Sequence, residues 1–231
     1  MKDLFSIEGK VALVTGGSRG IGEMIAAGFL ANGAKVYISS RKAEVCDATA
    51  ERLAKEYGGE CISIPADLSN LEGISALANE LSSKEKSLDI LVNNAGASWG
   101  EPIEDYSELG WDKVMDTNVK GIFFLTQQLL PLLRESGNAD NTSRVINIGS
   151  IDGIKTGTFD AFSYGPSKAA VHHLTRVLAA RLIKDHIIVN AIAPGPYPSQ
   201  MLGSAVDHDY SETARKNPRK RVGLPEDIAG L

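Results

Sequence analysis

Histidine, cysteine and aromatic side chains are scarce in this sequence: 231 residues hold four histidines, two cysteines, two tryptophans, six tyrosines and six phenylalanines. Cys46 and Cys61 have no ligand-like partners, and no histidine cluster carries metal-ligand spacing, so no bound metal is expected. Two cysteines without a disulfide framework favour a reducing compartment. No apolar run is long enough to span a bilayer, and the opening MKDLFSIEGK lacks the apolar stretch of a signal peptide. A cytoplasmic protein without membrane attachment is expected. Positive charge is not in excess either. The formal net charge of -5 argues against nucleic acid as a main partner. The one cationic cluster, Arg215 to Arg221, reads as a solvated loop. Linkers, repeats and low-complexity tracts are missing, so residues 1–231 are expected to form one domain around one core.

What the sequence does have is alternation. Short β-branched runs at Val11–Thr15, Lys35–Ser39, Cys61–Ile64, Leu88–Val92, Arg144–Ile148 and His186–Ile192 read as strands. Between them, helical periodicity covers Ile21–Leu30, Ala43–Tyr57, Leu71–Ser82, a long stretch from about Ser107 to Glu135, and Ser163–Lys184. Gly121 and Pro131 weaken the long helix locally. Strand and helix repeated this often, with continuously apolar strands, predict an α/β fold: a doubly wound parallel sheet of the Rossmann type. Its ligand should sit beyond the carboxyl ends of the strands.

The polar motifs fall at those ends. Thr15-Gly16-Gly17-Ser18-Arg19-Gly20-Ile21-Gly22 joins the first strand to the first helix, where glycines let the backbone approach a pyrophosphate and the helix N-terminus supplies amides. The second strand ends Ser39-Ser40-Arg41-Lys42, with no carboxylate before Glu44. A carboxylate there would repel a 2′-phosphate, whereas Arg41 and Arg19 suit one; NADP(H) is therefore expected over NAD(H). Asp67-Leu68 follows the third strand, and Asp67 can either accept a bond from adenine or cap the next turn. Asn93, Asn94, Ala95 and Gly96 follow the fourth strand, small and amide residues able to pack against ribose.

Tyr164 and Lys168 stand four apart in a predicted helix, one turn apart on one face, with Ser150 upstream at a strand end. A neighbouring cation favours phenolate, so a lowered Tyr164 pKa is expected, as general acid-base chemistry requires. His172 and His173 read as packing or surface residues.

The motifs TGGSRGIG at 15–22, NNAG at 93–96, Asn118 in MDTNVKG, Ser150 in INIGS, YGPSK at 164–168 and NAIAPG at 190–195 together resemble the short-chain dehydrogenase/reductase family. Within it the chain is most similar to NADPH-dependent 3-ketoacyl reductases. The resemblance implies that Tyr164 protonates a carbonyl oxygen, Lys168 lowers its pKa and holds ribose, and Ser150 bonds the carbonyl. It implies that Asn118 holds, through its backbone, a water serving Lys168. It also places Pro194-Gly195 beneath the nicotinamide, and Ile192 and Ser199 near it. A small-molecule or acyl-thioester ketone is the implied substrate, bordered by Trp99, Ile151, Ile154, Phe159, Phe162, Tyr197, Met201 and Leu202. A homo-oligomer, tetramer or dimer, is implied as well.

The sequence stops at Gly223-Leu224-Pro225-Glu226-Asp227-Ile228-Ala229-Gly230-Leu231, where the family continues to a last strand. The expectation is a sheet short of that strand, with stability and assembly in question. Competing expectations are oxidation of a secondary alcohol of sugar or steroid type, a non-catalytic nucleotide-binding protein, and an inactive fragment.

Overall fold

A computed structural model describes residues 5–157 and 159–230. Residues 1–4, Thr158 and Leu231, read above as part of the domain, lie outside the described residues. Six parallel strands form one sheet in the order β3-β2-β1-β4-β5-β6: β1 Val11–Thr15, β2 Lys35–Ser39, β3 Cys61–Ser63, β4 Ile90–Asn93, β5 Ser143–Ile148 and β6 Ile187–Ile192. The connecting helices are α1 Gly20–Ala31, α2 Ala43–Tyr57, α3 Leu71–Lys84, α4 Glu108–Met115, α5 Gly121–Ser136 and α6 Tyr164–Leu182, followed by the short α7 Gln200–Ala205 and α8 Ser211–Lys216.

Strand alternation divides the core into two layers. Leu13, Tyr37, Leu91 and Val145 face one side, with Leu77 and Leu81 of α3 and Leu125 and Leu129 of α5. Ala12, Val14, Val36, Ile38, Ile90 and Val92 face the other, with Ile25 and Phe29 of α1 and Cys46 and Leu53 of α2. Both faces are covered, which is why the strands carry apolar residues at nearly every position. The doubly wound expectation holds, and the order in which strands are added to the sheet reverses between β1 and β4. There the loops diverge and open a cleft at the carboxyl ends.

Two local differences from the sequence reading have physical causes. Leu88 packs in the core and its amide donates to Leu132 O at 3.0 Å, so it precedes β4. The stretch from Ser107 to Glu135 is not one regular helix. Ser107 caps α4, accepting from Gly110 N at 3.2 Å, and a π-helical turn over Asp116–Lys120 separates α4 from α5. Gly121 then lies directly on the Leu68 carbonyl, and Pro131 is accommodated within α5.

A polar row crosses this apolar interior. Asn93 Nδ2 donates to Thr126 Oγ1 at 3.2 Å and to Asn147 Oδ1 at 2.8 Å, and Asn147 Nδ2 donates to Thr175 Oγ1 at 2.9 Å. All four residues are buried, and the row ties α5, β4, β5 and α6 together.

Candidate active site

The glycine turn occupies one end of the cleft. Gly16 has φ +64°, a conformation that L side chains rarely adopt. A Cβ at Gly22 would overlap the Gly16 carbonyl and the Asn94 amide, so glycine alone lets α1 start this close to β1. Asn94 supports the turn from below, its Nδ2 donating to Thr15 O at 2.9 Å. Thr15 Oγ1 in turn accepts from Asn94 N and Ala95 N, each at 3.0 Å. Thr49 Oγ1 donates to Ser18 O at 3.1 Å and braces the turn from α2. No side chain caps α1 at Arg19, whose guanidinium instead donates to Gln200 Oε1 of α7. Arg41 and Lys42 are exposed at the end of β2. Ser40 lines the cleft with its hydroxyl buried and without a regular hydrogen-bond partner, only the weak Cys46 thiol standing beside it.

Gly16, Ser18, Arg19, Gly20, Ile21, Ser40, Arg41, Asp67, Leu68, Asn94, Ala95, Gly96, Pro194, Gly195 and Ser199 all line the cleft, as the sequence suggested. Gly22 and Asn118 lie behind its surface, and Ile192 packs into the core layer of α1 and α2 instead. Asp67 Oδ1 accepts from Ser69 N at 3.0 Å, the capping alternative, while the residue still faces the cleft. Ser199 caps α7, accepting from Leu202 N at 3.2 Å.

Ser150, Tyr164 and Lys168 converge at the other end. Ser150 lies two residues beyond β5 and caps a one-turn 3-10 segment, Ile151–Gly153, its Oγ accepting from Asp152 N at 3.1 Å. Tyr164 opens α6, and Lys168 lies one turn on, its Nζ 5.7 Å from the phenol ring centroid. Lys168 is 4% exposed, and its Nζ donates to Ile148 O at 2.8 Å. Burial lowers its pKa to about 8. Burial also pushes the Tyr164 phenol up, against the opposing pull of the Ser150 hydroxyl. The lowered tyrosine pKa anticipated from spacing is therefore reversed, because desolvation of the phenol is the largest influence on it.

Asn118 sits fully buried in the π turn. Its Oδ1 accepts from Ala97 N at 2.7 Å, and its Nδ2 donates to Ala97 O at 3.0 Å and Ser167 Oγ at 2.9 Å. All eight apolar wall residues named from the sequence line the cleft. Lys113 stacks over one of them, its Nζ 4.4 Å from the Trp99 ring centroid. Sequence reasoning passed over Asp152, a carboxylate in that wall, and Thr15, the knot beneath the glycine turn. His172 packs against Gly149, His173 is exposed, and among the described residues no group of three or more His, Cys, Asp or Glu could hold a metal.

Comparison with known proteins places these features. The family profile for short chain dehydrogenase matches residues 10–209. The rhamnolipids biosynthesis 3-oxoacyl-[acyl-carrier-protein] reductase of Pseudomonas aeruginosa is 51% identical over 233 residues, covering 100% of this chain and 90% of that protein. The 2-dehydro-3-deoxy-D-gluconate 5-dehydrogenase of Dickeya dadantii is 35% identical over 231 residues, covering 98% of this chain and 87% of that protein. Among solved structures, the Pseudomonas aeruginosa RhlG/NADP active-site complex superposes with a TM-score of 0.94 at 51% identity, covering 100% of this chain and 90% of that one. One profile thus spans both the glycine turn and the tyrosine–lysine helix, and half the aligned positions are shared with a 3-oxoacyl reductase: the chain belongs to the short-chain dehydrogenase/reductase family.

Proposed function

We propose that this chain reduces a ketone, a 3-oxoacyl thioester above all, with NADPH as hydride donor. The observation that carries the reading is the convergence of the Ser150 and Tyr164 hydroxyls over buried Lys168, in a cleft with largely apolar walls. The Pseudomonas aeruginosa relatives, a 3-oxoacyl-[acyl-carrier-protein] reductase and an NADP complex, support the same choice.

The residues fit the cofactor. The uncapped start of α1 and the glycine turn offer amides to a pyrophosphate. Ser40, with a buried hydroxyl lacking a regular partner, stands beside exposed Arg41 and within reach of the turn that carries Arg19, a set suited to a 2′-phosphate. Asp67, Leu68, Asn94, Ala95 and Gly96 would flank adenine and ribose, and Pro194, Gly195 and Ser199 the nicotinamide. When bound, NADPH supplies the hydride that reaches the carbonyl carbon.

Tyr164 gives its proton to the carbonyl oxygen. Its raised pKa keeps the phenol protonated at neutral pH, the state a general acid needs for reduction. Ser150 Oγ donates to the same oxygen and stabilises charge that develops there. Lys168 holds a positive charge beneath them and returns a proton to Tyr164. The Asn118 side chain is consumed by Ala97 and Ser167, so only its main chain is left to serve a proton path to Lys168; π turns free main-chain carbonyls at such places.

Residues 1–231 act as one domain in this reading. Among the described residues no helix is long and apolar enough to cross a membrane, and both cysteines are free, which supports a cytoplasmic location. Phe123 and Val177 are exposed on α5 and α6 beside a shallow apolar groove, which supports a homo-oligomer joined through that face. The deciding experiment follows NADPH absorbance while the purified chain meets the N-acetylcysteamine thioester of 3-oxobutanoate. Steady oxidation of NADPH supports the reading. Turnover confined to a sugar alcohol with NAD would overturn it.

A further inference from the structure

The largely apolar wall between Ile151 and Phe162 carries two carboxylates, exposed Asp160 and half-buried Asp152. Asp152 follows Ser150 by two residues, and its amide donates to Ser150 Oγ at 3.1 Å, so the main chain fixes where its side chain starts. The 3-10 turn that carries it is wedged onto α6. A Cβ at Gly153 would stand 2.6 Å from Lys168 C, and one at Gly165, next to Tyr164, would stand 3.2 Å from Asp152 O. The carboxylate lies flat against Gly157, its Cγ and both oxygens 3.3–3.4 Å from where a Cβ there would be. Asp152 lines the cleft, as do Ile151, Ile154, Lys155, Phe159 and Phe162. Among the described residues no donor bonds its oxygens, and no cation lies within ion-pair distance. Lys155 acts on it only through space, and its charge is felt by Tyr164.

An unpaired, partly buried carboxylate in an apolar wall is costly to keep, and such groups concentrate where a ligand is sorted. We infer that Asp152 determines substrate charge: it excludes ketones that carry an anionic group near the carbonyl, and so selects uncharged 3-oxoacyl thioesters and esters over keto acids. The inference rests on the reductase reading above and narrows its substrate class. A carbonyl oxygen held by Ser150 and Tyr164 leaves its substituents along this wall. Two like charges about 6 Å apart at the effective dielectric of a protein wall cost roughly a hundredfold in affinity. Solvent and Lys155 oppose that field, so about tenfold is expected.

The test compares kcat/KM, with NADPH, for the N-acetylcysteamine thioester of 3-oxobutanoate and for 3-oxobutanoate itself. Asp152→Asn and Asp152→Ala should raise the acid relative to the thioester by about tenfold, mostly through a lower KM for the acid. A turn-bracing role alone would lower both substrates in parallel and leave the ratio where it was; a ratio within about twofold of the parent overturns the inference. Lys155→Gln removes the opposing cation from an exposed side chain that makes no hydrogen bond or ion pair among the described residues, so it tests the same field should the Asp152 variants not fold. It should shift the ratio further toward the thioester, and an unchanged ratio again counts against the inference. A parent chain that prefers the acid also overturns it. Failure of the reductase reading looks different: the parent chain then oxidises NADPH with neither substrate.

Discussion

Asn118 and Ala97 are joined as two strands would be: the side-chain amide of one accepts from N–H and donates to C=O of the other, at 2.7 and 3.0 Å. This clasp pins the loop after β4 against the π turn. It also fixes the floor beside Lys168, since a Cβ at Gly96 would stand 3.4 Å from Asn118 Oδ1 and 3.6 Å from Lys168 Nζ. Asn118→Ala removes both bonds and the one to Ser167, and should cost about 3 kcal/mol. For a chain of this size that lowers the melting temperature by roughly 6–12 °C. Calorimetry checks it, and turnover should fall with stability because Lys168 loses its floor. A melting temperature within about 2 °C of the parent would refute the clasp.

Tyr164→Phe keeps the ring and removes the proton that reduction needs. Turnover should drop by about a thousandfold or more, while the NADPH-induced rise in melting temperature persists. Stopped-flow absorbance and a thermal melt read the two effects separately. Unchanged turnover would remove Tyr164 from the chemistry.

Arg41 is exposed at the end of β2, free to meet a 2′-phosphate that NADH lacks. Arg41→Ala should weaken NADPH by roughly tenfold and NADH hardly at all. Equal weakening of both cofactors in a fluorescence titration would place the phosphate elsewhere.

Lys168 makes stability and activity pull apart. Burial lowers its pKa from 10.5 to about 8. Between those values the unfolded chain binds more protons at this side chain than the folded one, so folded stability rises with pH across that window. Below it, burying the ammonium costs about 3 kcal/mol, offset in part by the bond to Ile148 O. Lys168→Met should therefore melt higher than the parent near neutral pH, by about 2 kcal/mol, and lose nearly all turnover. The gap should narrow as pH approaches about 10, because only the parent gains there. Thermal melts of both proteins along a pH series, without added nucleotide, check the slope; a gap independent of pH would contradict the desolvation of Lys168.

Much of this was legible beforehand because it is periodic or local. The β-branched runs and the spacing of Ile25, Phe29 and Leu30 announce strand and helix, and Gly16 to Gly22 announce a turn whatever surrounds them. Tyr164 and Lys168 are local too, one turn apart on one helix. The π turn was not legible, because nothing in Asp116-Thr117-Asn118-Val119-Lys120 marks it; Ala97, distant in sequence, draws Asn118 inward. The direction of the Tyr164 shift was misread for a related reason. Spacing reveals a neighbouring charge but not how much water the fold removes. Asp152 carries only a faint signal in the sequence, a carboxylate between Ile151 and Ile154 just after a strand-end serine. Ile192 was placed by motif, yet strand alternation turns it into the core.

The buried row of Thr126, Asn93, Asn147 and Thr175 has a consequence for alignment. Sliding β5 two residues along β4 would return apolar side chains to apolar layers, and the greasy surfaces alone discriminate weakly against it. The same slide parts Asn93 from Asn147 and strands their amides in a dry interior, at several kcal/mol. The row behaves as a key in a keyway, admitting one indexing of the two strands. Ser150 lies three residues beyond Asn147, so the key that indexes the sheet also delivers the serine hydroxyl to its place beside Tyr164.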